Sequence, residues 1–263
     1  MNLGLDGKAA LVAASSQGLG KAVALELARE GAAVVICARH AGPLERAAVE
    51  IRDATGSDVL AIPADVTVPS EIDRLVEQAT ARFGVPDVLV TNAGGPPPGR
   101  FSDLAAEDWQ AAVDLTLMST VRLCNAVVPG MQKRGGGSIV AMTSVSVRQP
   151  LPNLMLSNSL RLAVVGMMKT LADELAPDGI RVNVVCPGWT RTARVEQLLK
   201  DRAERNRTTV EEEAEQITSS IPLGRMGTPE EFGRVVAFLA SPAASYVHGV
   251  SLLIDGGMFR GTM

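Results

Sequence analysis

Histidine is almost missing from this chain of 263 residues: only His40 and His248 occur. The usual ligand sets cannot assemble from two such distant residues, so no metal site is expected. Cysteine is also scarce. Cys37, Cys124 and Cys186 are odd in number, widely spaced and set among apolar neighbours. That is the pattern of buried free thiols in a reducing cytoplasm, not of disulfides, metal ligands or a nucleophile. Positive charge is not in excess either. Lys and Arg number 25 against 29 Asp and Glu, a net charge of −4, so the basic face that nucleic acid requires is not expected. No uninterrupted apolar run reaches the ~18 residues of a membrane-spanning helix. The opening residues Met1-Asn2-Leu3-Gly4-Leu5-Asp6-Gly7-Lys8 lack the basic region and long apolar run of a signal peptide. The one tyrosine, Tyr246, lies in a Ser- and Pro-containing approach to the last strand and reads as structural. These absences leave the expectation of a cytoplasmic protein that acts on a small molecule.

What is present is aliphatic and periodic. Hydrophobic residues make up 46% of the chain, enough to bury one sizeable core at this length. Apolar, β-branched runs at 8–14, 33–38, 59–63, 88–91, 138–142, 182–186 and 251–254 read as buried parallel strands. Between them Leu19/Val23/Leu27, Ile72/Leu75/Val76/Ala79/Phe83 and Leu160/Val164/Met168/Leu171/Leu175 recur at helical spacing. Such alternation predicts an α/β fold: a doubly wound, seven-stranded parallel sheet with helices on both faces and right-handed crossovers. The whole chain, 1–263, reads as a single domain. Gly135-Gly136-Gly137 reads as a helix stop before a strand. The charged segment 194–220 fits either a mobile helical lid or a solvated insertion.

Ala14-Ser15-Ser16-Gln17-Gly18-Leu19-Gly20 follows the first strand and opens the first helix. Small residues there let the backbone approach a pyrophosphate at the positive end of a helix. Further on stand Asp65-Val66, Asn92-Ala93-Gly94, Pro187-Gly188-Trp189-Thr190-Arg191-Thr192 and Asp255-Gly256-Gly257. In this order, on these elements, the motifs resemble those of the short-chain dehydrogenases/reductases along essentially the whole chain. The resemblance implies a Rossmann-type fold and a nicotinamide cofactor. Ala14, Ser16, Gln17, Gly18, Leu19 and Gly20 would line its phosphates, with Ala14 replacing the family's first glycine and adding only a methyl. Asp65 and Val66 would meet the adenine; Asn92, Ala93 and Gly94 would form a wall beside the cofactor. Pro187, Gly188, Trp189, Thr190 and Thr192 would cover it, with Thr192 at the nicotinamide carboxamide. The second strand ends Cys37-Ala38-Arg39-His40. Ala38 stands where an NAD-type aspartate would be, and Arg39 suits a 2′-phosphate, so NADP(H) is expected over NAD(H).

The catalytic positions depart from the family. Its strand-end serine corresponds to Ser144, but its tyrosine falls on Ser157, its lysine on Arg161 and its asparagine on Thr116. A tyrosine titrates near ~10, within reach of tuning, whereas serine has no comparable acidity without an adjacent base. Arg161 keeps a positive charge beneath the nicotinamide ribose but does not shuttle a proton. Being four apart on a helix, Ser157 and Arg161 share one face. Exchanging tyrosine for serine withdraws the hydroxyl by roughly 4 Å, room for a water or for a substrate's own acid. Ser146, Arg148, Asn153 and Asn158 flank this region, and Arg148 reads either as a solvated loop arginine or as a sign of an anionic or strongly polar substrate. Two readings stay open. One is an NADP(H)-dependent oxidoreductase in which Ser144, Ser157 and Arg161, with Thr116, organise a water-assisted proton transfer. The other is a dinucleotide binder without turnover. The resemblance also implies a homotetramer or dimer built on helices at 105–131 and 153–176 and on the last strand.

Overall fold

The β-branched runs form strands because they can be buried on both faces at once. In the computed structural model, which describes residues 2–262, Leu11, Val35, Leu89, Ile139 and Val184 point into one core. Their neighbours Val12, Val34, Val88, Val140 and Val185 point into the opposite one. The strands are β1 (Ala9–Val12), β2 (Ala33–Ala38), β3 (Val59–Pro63), β4 (Val88–Thr91), β5 (Gly137–Met142), β6 (Ile180–Pro187) and β7 (Ser251–Ile254). All pair in parallel in the order β3-β2-β1-β4-β5-β6-β7. The expected seven-stranded Rossmann-type sheet is therefore present. β1 ends two residues earlier than the apolar run, because Ala14 turns away at φ +48°. β6 runs longer at both ends than its most apolar part.

Helices cover both faces. On one lie α1 (Gly18–Arg29), α2 (Ala41–Thr55) and, from near the C-terminus, Pro229–Ala240. On the other lie α3 (Pro69–Phe83), the long α4–α5 helix and α6 (Met155–Leu175). The long helix departs from the uniform one expected at 105–131: α4 (Ala106–Ala112) and α5 (Ser119–Arg134) are joined by a π turn over Val113–Met118. Within its 29 residues an 18-residue window reaches a mean hydropathy of 1.4, long and apolar enough to cross a membrane by length and composition, although interspersed polar residues hide this from a search for unbroken runs. Its inner face packs Leu123, Cys124, Val127 and Met131 into the core. Gly135, at φ +81°, ends it in a left-handed cap, the stop expected from the glycine triplet.

The charged segment 194–220 folds as a helical hairpin, α7 (Ala193–Asn206) and α8 (Val210–Ser220), followed by α9 (Pro229–Ala240). Leu199, Ile217, Ile221 and Met226 give the hairpin a small core of its own, and Trp189 packs on it. The buried Glu213 ties the two helices together by accepting from Arg202, Asn206 and Thr208.

Candidate active site

Strand order reverses between β1 and β4, since the chain winds outward to β2 and β3 and then back to β5, β6 and β7. A crevice opens at the carboxyl ends of the strands at such a point. Here it is a cleft of about 460 Å³. The turn from β1 into α1 forms its floor. Ser15 is buried there, its hydroxyl donating to Val12 O at 2.7 Å while Cys37 N donates to it at 3.2 Å. Asn92 at the end of β4 clamps the same turn, donating to Ala13 O and Ala14 O at 3.3 and 3.1 Å. A Cβ on Gly20 would sit 2.4 Å from Ala14 O and 2.9 Å from Asn92 Nδ2, so no side chain fits there. Ala14 holds a left-handed backbone, so its exchange for glycine matters through the backbone and not only through an added methyl. The N-cap Gln17 makes no side-chain capping bond, which leaves the first N–H groups of α1 facing the cleft.

Ala38, Arg39 and His40 from the end of β2, and Ala64, Asp65 and Val66 from the end of β3, line one end of the cleft. Arg39 is exposed there and makes no ion pair among the described residues. One oxygen of Asp65 is occupied locally, accepting from Thr67 N and Thr67 Oγ1 at 2.9 and 2.7 Å.

At the other end the structure brings Ser144, Ser157 and Arg161 together in the cleft wall. Arg161 Nε donates to Ser157 Oγ at 3.2 Å, and its Nη1 donates to the strand-end carbonyls of Thr143 and Met142 at 3.0 and 3.3 Å. The guanidinium is thus spread over the end of β5 and over Ser157 rather than left as a free fork. Burial, then the nearby charge of Arg194, bring its pKa down to about 10, so it stays protonated at neutral pH. Ser144 Oγ accepts from Ser146 N at 3.1 Å. In both serines an N–H donor occupies the oxygen, which leaves each O–H free to donate into the cleft.

Of the residues singled out in the sequence, Ala14, Ser16, Gln17, Gly18, Leu19, Gly20, Arg39, Asp65, Val66, Asn92, Ala93, Gly94, Pro187, Gly188, Trp189, Thr190 and Thr192 also line this cleft. Thr116 does not. It is buried in the π turn with its hydroxyl unpartnered, and Leu115 takes the lining position. Thr192 Oγ1 also caps α7, accepting from Val195 N at 3.3 Å, which leaves its O–H free to donate. Asn158 holds Leu151 through both backbone groups, and Asn153 takes φ +63°, so these flanking polar residues shape the loop. Arg148 is exposed and outside the lining. Tyr246 is fully exposed at 102% and packs into no core, contrary to the structural role expected for it. The three cysteines are free and buried, as expected. Burial pushes Cys37 up to about 11 and Cys124 up to about 12, far from a reactive thiolate. The sequence reading missed Arg194, which reaches across the cleft to donate to Pro96 O at 3.0 Å. Its position two residues after Thr192, at the edge of a charged segment, was the available signal.

Residues 13–259 match the family model described as Enoyl-(Acyl carrier protein) reductase. The bovine (Bos taurus) Dehydrogenase/reductase SDR family member 4 is 37% identical over 254 residues, covering 96% of this chain and 88% of the relative. The chain belongs to the short-chain dehydrogenase/reductase family. It is an oxidoreductase by that membership. The L-sorbose reductase of Gluconobacter frateurii, solved with NADPH and L-sorbose, superposes with a TM-score of 0.94 at 35% identity, covering 99% of this chain and all 100% of that one. A short chain oxidoreductase of Pseudomonas aeruginosa PAO1, solved with NADPH and described as containing an atypical catalytic center, superposes at 0.88 with 29% identity, covering 97% and 98%.

Proposed function

We propose that the chain interconverts a carbonyl compound and an alcohol with NADP(H), through an altered site in which Ser157 and Arg161 stand where the family carries tyrosine and lysine. The observation that carries this reading is the 3.2 Å contact from Arg161 to Ser157 in the cleft that also holds Ser144. A site that had merely decayed would need to keep neither the charge nor the contact. The Pseudomonas relative with its atypical centre supports the same view.

The chain's residues fit the cofactor. The side-chain-free approach at Gly20 and the uncapped N-terminus of α1 suit a pyrophosphate. Arg39, exposed at the far end of the cleft, suits a 2′-phosphate, and the NADPH in both structural relatives supports that preference. When bound, the reduced cofactor supplies a hydride to the carbonyl carbon and is itself oxidised, leaving one proton to reach the oxygen. Ser144 and Ser157 would aim two O–H donors at that oxygen, where negative charge develops. Arg161 behind Ser157 strengthens its O–H as a donor without surrendering a proton, so the proton would be drawn from bulk solvent and relayed by water in the space a tyrosine ring would fill, the relaying water regaining a proton from solvent. Loss of one such donor costs roughly 10²–10³-fold in kcat.

The test combines fluorescence titration of NADPH and NADH with single-turnover hydride transfer across a carbonyl panel. Wild type is expected to bind NADPH more tightly and to reduce at least one carbonyl. The double substitution Ser157→Tyr with Arg161→Lys is expected to abolish that activity by filling the space. Activity gained in the double variant, with none in wild type, would make the natural protein a dinucleotide binder.

A further inference from the structure

Charge within the cleft is unbalanced at its catalytic end. Two guanidiniums, Arg161 and Arg194, line that end, and the one carboxylate lining the whole cleft among the described residues is Asp65, at the opposite end. Neither arginine forms an ion pair there: Arg161 donates to Ser157 and two carbonyls, and Arg194 donates to Pro96 O alone. Arg194 lies against the backbone of Gly95, where a Cβ would come within 3.4 Å of its Nε and Nη2. Its guanidinium therefore lies along the cleft wall, while the residue as a whole stays exposed and open to a ligand from solvent. It also sits in the first turn of α7, and Thr192, Ala193, Arg194, Val195 and Leu198 bring that positive helix end to the same wall. Leu115, Val145, Leu151 and Leu154 add apolar lining to the cleft.

Two like charges held in one cleft without a counter-ion repel each other, and an anionic ligand relieves this. Building on the oxidoreductase reading above, we infer that the substrate carries a carboxylate, bound by Arg194, on the same molecule whose carbonyl oxygen meets Ser144 and Ser157. The substrate class is an oxo acid in the reducing direction and the corresponding hydroxy acid in the other. Arg194 keeps four of its five N–H donors for this purpose, and its planar fork matches a carboxylate bidentately. The competing source of the anion is the cofactor's own pyrophosphate, and the experiment separates the two.

The probes are 2-, 3- and 4-oxo acids of five and six carbons and their methyl esters. Binding to the NADP⁺-saturated protein is followed by calorimetry, and NADPH affinity is measured separately in wild type and Arg194→Gln. At least one acid is expected to bind about tenfold or more tightly than its ester, as loss of a charge-assisted pair implies. Arg194→Gln should erase that preference while changing NADPH affinity less than threefold. Equal binding of acids and esters, or no binding by any acid, overturns the inference. So does a preference that survives Arg194→Gln, or a loss in that variant confined to NADPH affinity, which would assign the arginine to the pyrophosphate. Failure of wild type to bind NADPH would instead sink the oxidoreductase reading, leaving the acid-over-ester comparison on the cofactor-free protein to decide the anion site.

Discussion

Ala14 is the residue at which a small exchange in sequence has a backbone consequence. It lines the cofactor cleft at φ +48°, a region that costs an L-residue roughly 1–2 kcal/mol. The conformation is imposed from outside, because Asn92 grips the Ala13 and Ala14 carbonyls while α1 packs so close that no Cβ fits at Gly20 beside the Ala14 oxygen. Ala14→Gly would relieve that strain and add unfolded-state freedom worth about 0.5–1 kcal/mol in the opposite direction. The difference favours the variant, so chemical denaturation of the cofactor-free protein should show Ala14→Gly more stable by about 0.5–1 kcal/mol. An unchanged or lower midpoint would mean that the methyl group contributes packing at least equal to the strain. The same residue shows what a motif comparison conveys and what it omits. That Ala14 replaces a glycine is visible in the sequence; that the replaced position is left-handed is not. Arg161 teaches a similar lesson, because its charge was legible but its attachment to the Met142 and Thr143 carbonyls depends on how β5 ends against α6.

At the level of elements, legibility followed the depth of burial. β2, β3, β4 and β7 fall where their β-branched runs lie, since a strand buried between two helical layers must be apolar throughout. The π turn at Val113–Met118 was not legible: neither glycine nor proline marks it. The α7–α8 hairpin was only half legible, because its core is four residues and Trp189, too small to impose a strong period on a charged stretch. Glu213 supplies much of what the small core lacks. Hydrogen bonds from Asn206, Thr208 and Arg202 hold its pKa down to about 2 from 4.5. A depressed carboxylate contributes stability that is full above its unfolded pKa and is lost as pH falls through the folded one. The hairpin should therefore hold above about pH 4.5 and loosen progressively toward about 2. Trp189, packed on the hairpin, reports this directly once Trp109 is replaced by Phe. Its emission should move to the red across that interval, and Glu213→Gln should show the shifted emission already at neutral pH. Emission that stays constant to pH 2 in the Trp109→Phe background would remove Glu213 from this role.

At the scale of the whole molecule, apolar surface is left over. The helix from Ala106 to Arg134 carries a window of mean hydropathy 1.4 of which 39% is buried within the chain. Beside it on α6, Leu162 is 53% exposed, and β7 ends the sheet with one neighbour and with Leu252 at 38%. Single exposed hydrophobics are ordinary, and others lie elsewhere on the surface, but Leu162 and Leu252 fall on a long helix and on an open strand edge. These are the elements that family resemblance assigns to assembly. An unpaired edge strand and an uncovered apolar helix are both relieved by a second copy related by two-fold symmetry, since each then meets its own counterpart. Two different faces permit two such axes, and a tetramer follows if both are used. Light scattering at micromolar concentration is expected to give four times the 27.5 kDa chain mass. Leu162→Glu places a charge on the helix face and should lower that mass to a dimer, while Leu252→Glu should do so through the strand edge. A monomer in the wild type would show that these faces stay open, and a tetramer unaffected by either substitution would place the interfaces elsewhere.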